Sequence, residues 1–148
     1  MKQYIGTKMI QAERAIRAGN KVFTAEDLPL AEEIGPKEYG YKVVYPDGYV
    51  SWSPQDVFEK AYRETSGMNF GLAIEAMKKG FRVARKGWNG KGIYLELQVP
   101  DEHSKMTLPY IYIVTSGLVT DNPHAPKGCV PWLASQTDML SDDWYIVE

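Results

Sequence analysis

The sequence predicts an α+β protein in two parts: a small hairpin-plus-helix module over residues 1–66, and a domain over 67–148 in which a short helix packs on a small antiparallel sheet. Two observations predict this. A helical pattern that ends near Thr65-Ser66-Gly67 starts afresh at Met68. The strands after it are short, alternating and separated by turn signals rather than by helices. With 148 residues, two such units would each have a thin core.

Tyr4 to Ala12 reads as a strand, with some helical character, and Gly19-Asn20 as a turn. Residues 24–38 are acidic and contain Pro29 and Pro36, the composition of a surface loop. A hairpin follows, with Tyr41–Tyr45 and Tyr49–Trp52 flanking Pro46-Asp47-Gly48, whose glycine can take positive φ. Ser53 is a suitable N-cap and Pro54 a suitable first helical residue for a helix with Val57, Phe58, Ala61 and Tyr62 on one face.

In the second part, Asn69 can cap a helix running to about Lys79. Phe70, Ala73, Ile74 and Met77 form its apolar stripe, and Gly80 lies just beyond its end. Phe81 to Lys86 alternates, with Phe81 and Val83 on one side and Arg82 and Lys86 on the other. Gly87 to Gly92 is a glycine-rich loop. Ile93 to Val99 is a strongly alternating strand, with Ile93, Leu95, Leu97 and Val99 facing one way. A polar loop from Pro100 to Pro109 leads to a strand at Tyr110–Val114. A Pro/Gly-rich stretch from Asn122 to Pro131 leads to Trp132–Leu140, and Trp144–Val147 closes the chain as a strand.

Composition narrows the function. Net charge is −2, and the parts before and after Gly67 each carry one more acid than base, which excludes a phosphate-tracking binder of DNA or RNA. The single cysteine, Cys129, excludes an internal disulfide framework, and with only two histidines a structural zinc site is poorly supplied. No apolar run reaches the roughly 20 residues of a membrane span, and no signal-peptide core is evident, so a cytoplasmic protein is expected. Four Trp and ten Tyr suit both stacking surfaces and core packing.

Recognisable catalytic motifs are mostly missing. Gly87–Gly92 matches neither the Walker loop nor the dinucleotide fingerprint. His124 and Cys129 are close in sequence, but no orienting partner is evident, and Asp142-Asp143 reads as a solvated turn before the last strand. Two segments could hold a ligand. In Gly87–Gly92, backbone N–H groups can approach an anion, Arg85, Lys86 and Lys91 bring cations, and Trp88 is either a lid or a plug for the core. In Pro131–Asp138, Trp132 precedes Ser135, Gln136, Thr137 and Asp138. Their polar groups can read ribose hydroxyls and base edges, or simply cap a short helix.

Three motifs carry a family resemblance: Met68-Asn69-Phe70-Gly71-Leu72-Ala73-Ile74-Glu75-Ala76, Val83 to Gly92 with its Gly-Trp-Asn-Gly loop, and Val130 to Leu140 with Asp143-Trp144. Residues 68–148 resemble the second Thoeris anti-defence family, small phage proteins that act as sponges for glycocyclic ADP-ribose signals made by bacterial TIR-domain enzymes. Some members also bind cyclic dinucleotides at a separate site, and members form homotetramers. The resemblance implies sequestration of a small cyclic nucleotide in the infected bacterial cytoplasm, with no catalysis, cofactor or metal. It points to Trp88 and Trp132 first, then Asn89, Gly90 and the run Ser135, Gln136, Thr137 and Asp138, with Phe70 and Arg85 as further contacts. Leu72 departs from the pattern, standing where an acidic residue is expected. Tyr4-Ile5-Gly6-Thr7-Lys8 and Gly48 to Pro54 resemble an N-terminal module of other small phage proteins, for which no function is implied. The alternatives are a phage inhibitor that docks a host protein and an enzyme that cleaves the cyclic nucleotide.

Overall fold

A computed structural model describes residues 1–27 and 35–148. It divides into two compact units, Met1–Arg63 and Glu64–Glu148, and is α+β, with a few short helices packed on antiparallel sheets.

The first unit is a four-stranded antiparallel sheet in the order β2-β1-β3-β4, built from β1 (Gln11–Ala18), β2 (Lys21–Phe23), β3 (Lys37–Val44) and β4 (Val50–Pro54). The predicted hairpin is β3–β4. Gly48 has φ +85°, its N–H reaches the Tyr45 carbonyl at 2.9 Å, and Asp47 accepts from the Tyr49 N–H. β1 begins later than expected, at Gln11. That residue pairs with Val44, the last residue of β3, so an earlier start has no strand to pair with. Half of the predicted acidic loop, residues 28–34, lies outside the described residues, and Lys37 and Glu38 already belong to β3.

Helix α1 (Gln55–Ala61) starts one residue after the sequence suggests. Ser53 and Pro54 pair with Tyr41 and Gly40, and this ladder holds Pro54 extended (φ −56°, ψ 147°), so neither residue serves the helix as read. The expected four-residue buried face is also thinner. Val57 is 55% exposed, while Phe58 stacks between Tyr41 (4.0 Å) and Tyr62 (4.9 Å). On the sheet's other face Trp52 lies against Gly40, with the Arg17 guanidinium 4.1 Å above its ring.

The second unit is a five-stranded antiparallel sheet in the order β8-β7-β6-β5-β9. Its strands are β5 (Arg82–Arg85), β6 (Tyr94–Gln98), β7 (Tyr110–Val114), β8 (Cys129–Pro131) and β9 (Trp144–Val147). β8 lies within the stretch read as irregular. Helix α2 (Phe70–Lys78) packs on one face, and a short α3 (Gln136–Leu140) lies beside it. The N-cap of α2 is Asn69, whose side chain accepts from the Leu72 N–H, and Gly80 follows the helix at φ +91°. α2 buries Ala73 and, three and four residues on, Ala76 and Met77, which makes one apolar stripe.

Register sets the core. Ile146, Val83, Leu95 and Ile113 stand opposite one another across β9, β5, β6 and β7, and Val83 and Leu95 are fully buried. Two residues along β5 on the same face comes Arg85, opposite Trp144. The pleat thus carries a charge and an indole onto the core-facing side, at the end where the glycine-rich loop begins. Among the described residues, no helix is long and apolar enough to cross a membrane, and no group of three His, Cys, Asp or Glu is placed to hold a metal.

Candidate functional site

The site is built on Trp144. Its side chain is fully buried at the start of β9, and Met68 pairs with it through two backbone hydrogen bonds of 2.7 and 3.1 Å. This pairing delivers Phe70, the first residue of α2, to the Trp144 ring, 5.2 Å between centroids. Trp88 approaches from the glycine-rich loop (5.4 Å, edge-on) and Trp132 from the end of β8 (6.0 Å, edge-on). Trp132 also meets Phe70 at 6.0 Å and Trp88 at 6.2 Å. The four rings form one connected cluster at tilted and edge-on angles, the geometry ring quadrupoles favour. Phe70, Trp88 and Trp132 are only half-buried, so the cluster roots in the core and surfaces between the loop and α3.

A polar network fixes the cluster's rim. Ser135 caps α3 with a reciprocal capping box: its hydroxyl accepts from the Asp138 N–H at 3.0 Å and donates to Asp138 Oδ2 at 2.7 Å. The Ser135 N–H adds a bond of 3.1 Å to the same oxygen. Asp138 Oδ1 accepts from the Trp88 indole N–H at 2.9 Å and from Arg85 Nη1 at 2.7 Å. Arg85 also donates through Nε to Asp143 at 2.8 Å, and Asp143 accepts from the Gly87 N–H at 2.7 Å. The Trp144 indole N–H is taken by the Asp138 carbonyl at 2.9 Å.

Burial pushes the Asp138 carboxyl up, but hydrogen bonds from Trp88, Arg85 and Ser135 outweigh it and bring it to about 2. The Arg85 hydrogen bond holds Asp143 below the usual carboxylate range against a smaller effect of burial, and the Gly87 N–H assists. Asp143 in turn raises the Arg85 guanidinium. All three groups are therefore ionised near neutrality, and two carboxylates face one guanidinium.

Six of the predicted residues come together here: Phe70, Arg85, Trp88, Trp132, Ser135 and Asp138. Asp138 is used internally, because each of its oxygens already accepts two hydrogen bonds. Ser135 is likewise engaged as the cap. Asn89 is exposed at the loop's tip, and Gln136 and Thr137 are exposed on the first turn of α3, so these three offer polar side chains to solvent. Gly90 is half-buried, and a Cβ there would sit 3.1 Å from Leu118 and 3.2 Å from Ile93.

Two residues escaped the sequence reading. Trp144 was read as part of a strand and of the family motif, but not as a member of the site. Asp143, read as a solvated turn residue, is ion-paired with Arg85 across 58 positions. A signal for the second was available: Arg85 follows Val83 by two on the inward face of a strand, and a charge there requires a partner. Lys91 differs in role from the cation expected at the loop's edge. Its ammonium donates to the carbonyls of Lys86 (2.7 Å) and Trp88 (2.8 Å) and folds the loop back on itself. His124 and Cys129 are both exposed in the C-terminal unit, and no hydrogen bond joins their side chains among the described residues.

Comparison with known proteins bears on the same residues. The Thoeris anti-defense 2-like domain matches residues 68–147, which hold the whole aromatic cluster and its network. The chain belongs to this family. It is similar to a protein of Bacillus phage SP01 named Thoeris anti-defense 2, at 37% identity over 84 residues, covering 54% of this chain and 94% of that protein. Membership supports a phage anti-defence role. Residues 1–67, the whole first unit and the first four residues of the second, stand outside the matched domain.

Proposed function

We propose that the C-terminal unit binds a nucleotide-derived immune signal of the glycocyclic ADP-ribose type and holds it without chemical change. The observation that carries this reading is the Phe70–Trp88–Trp132–Trp144 cluster, with two half-exposed indoles beside a glycine-rich loop. An indole stacked on adenine contributes about 1–3 kcal/mol. Asn89, Gln136 and Thr137 are exposed and supply donors and acceptors for ribose hydroxyls and base edges. Sequestration needs affinity rather than a catalytic group, and nanomolar binding corresponds to about −12 kcal/mol. The ionisable groups under the cluster, Arg85, Asp138 and Asp143, are engaged with one another, which suits a rigid receptor. Cyclic dinucleotides are a second ligand class for this chain under the same reading. The working form is a homotetramer in the cytoplasm of the infected cell.

The test is calorimetric titration against glycocyclic ADP-ribose isomers and a panel of cyclic dinucleotides, with the ligand released by heat and weighed by mass spectrometry. Tight binding and an unchanged mass support sequestration. A changed mass replaces it with catalysis, and no binding removes the ligand reading in favour of a protein partner. Size-exclusion chromatography with light scattering reads the oligomer.

A further inference from the structure

Three cations border the glycine-rich loop, and the structure gives them different work. Arg85 faces two carboxylates at 2.7 and 2.8 Å, with its side chain only 10% exposed. That trio carries a net charge of −1 and repels an anion at close range. Lys86 is exposed on the strand side of the loop. Lys91 is different. Its ammonium is fixed by two carbonyls of the loop itself, Lys86 and Trp88, and among the described residues no carboxylate lies within 4.0 Å of it. Carbonyls orient an ammonium without neutralising it. Among the described residues, its third N–H donor meets no acceptor.

The loop backbone adds a donor in the neighbouring stretch of chain. Among the described residues, the N–H groups of Asn89 and Gly90 meet no protein acceptor, whereas Lys91 pairs with Val119 in an antiparallel bridge. The chain then closes at Gly92, whose φ of +80° and approach to the Gly117 carbonyl admit no Cβ. A free glycine N–H beside a fixed cation can donate to the same anion.

We infer that Lys91, with the backbone N–H of Gly90, is the phosphate-binding element of this site, and that Arg85 positions Trp88 from below and contacts no phosphate. This rests on the proposed reading that the ligand carries a pyrophosphate. The division of labour follows from charge: an anion gains most from the cation that no acid has already claimed.

The test compares wild type with Lys91→Gln and Lys91→Arg. Glutamine keeps two N–H donors for the loop carbonyls and removes only the charge. Affinity for the tightest-binding glycocyclic ADP-ribose isomer is measured from 50 to 500 mM NaCl. The expected result is a roughly tenfold loss for Lys91→Gln with a shallower salt dependence, and near wild-type affinity and salt dependence for Lys91→Arg. Unchanged affinity in Lys91→Gln overturns the inference. So does a loss with the wild-type salt dependence, because the lysine would then act through loop shape alone. If the wild type binds no isomer, the sequestration reading fails and inorganic pyrophosphate tests the lysine by itself. Amide shifts within Gly87–Gly92 that Lys91→Gln abolishes support the assignment, and their absence in the wild type overturns it.

Discussion

Arg85→Met tests the network under the aromatic cluster. Methionine keeps most of the arginine stem's volume and removes the charge, so any loss reports electrostatics rather than a cavity. In the native protein Arg85 is flanked by Asp138, whose side chain is 13% exposed, and Asp143, 30% exposed. Without Arg85, two carboxylates remain in a poorly hydrated place with no cation. Breaking a buried pair by removing one partner costs about 3–5 kcal/mol. The titration of Asp138 gives a scale of the same order: its carboxyl lies at about 2 against 3.8 when free, a difference worth roughly 2.5 kcal/mol. Trp88 and Ser135 supply part of that and survive the substitution, so the expected loss at pH 7 is about 3 kcal/mol. In a unit of this size that lowers Tm by about 12–24 °C.

The pH dependence follows from the depressed carboxyls. A depressed carboxyl contributes stability that is fully present above its unfolded value of 3.8 and is lost as pH falls towards about 2. Wild type therefore loses stability steeply over that window, and Arg85→Met loses less, because its acids protonate at higher pH. Urea unfolding followed by tryptophan emission at pH 7 and pH 2.5 reads both values. A deficit below about 1 kcal/mol at pH 7, or one that stays constant down to pH 2.5, would show that the network does not hold the site as argued.

Four further outcomes follow from the same structure. Leu95→Ala empties a fully buried position between β5 and β7 and is expected to cost about 2–5 kcal/mol in denaturant unfolding. Asp138→Asn is expected to move the Trp88 indole N–H resonance upfield in a proton–nitrogen spectrum, because the charged acceptor at 2.9 Å is lost; an unmoved resonance rejects that hydrogen bond. Gly40→Ala would place a Cβ 2.2 Å from the Ser53 carbonyl and 2.7 Å from the Trp52 ring, so amide exchange in β3 and β4 should accelerate sharply. Tyr112 donates to Glu96 on the sheet face opposite α2, which, with burial, pushes its phenol up to about 12. A raised phenol contributes stability below pH 10 that is lost as pH rises through about 12, so Tyr112 should ionise late in an absorbance titration of the ten tyrosines and Tyr112→Phe should remove that late step.

Local patterns fixed much of the fold in advance. The β3–β4 hairpin, α2 with its Asn69 cap, and β6, β7 and β9 were all legible, because hairpin turns, caps and alternation are decided by residues within a few positions of one another. β8 was not legible: three residues inside a Pro/Gly-rich stretch become a strand only because Val114, Ile113 and Tyr112 offer them an edge. The start of α1 failed for the same reason, since pairing with β3 holds Ser53 and Pro54 extended against their local preference for a helix start.

The sequence by itself determined which residues could form the site, through the short segments that carry Phe70, Trp88 and Trp132 and the Ser135–Asp138 box. What those residues do there was decided by the tertiary structure. Asp143 lies 58 positions from Arg85, and only the pairing of β5 with β9 sets them side by side. Asp138 offers acceptors on paper, and packing assigns them to Trp88, Arg85 and Ser135. Arg85 and Lys91 carry the same formal charge six residues apart. A strand pleat buries the first between two acids, and a glycine turn holds the second on carbonyls in water. Hydrogen bonds and charges act over a few ångströms of space rather than of chain, so partnership is settled only when the strands meet.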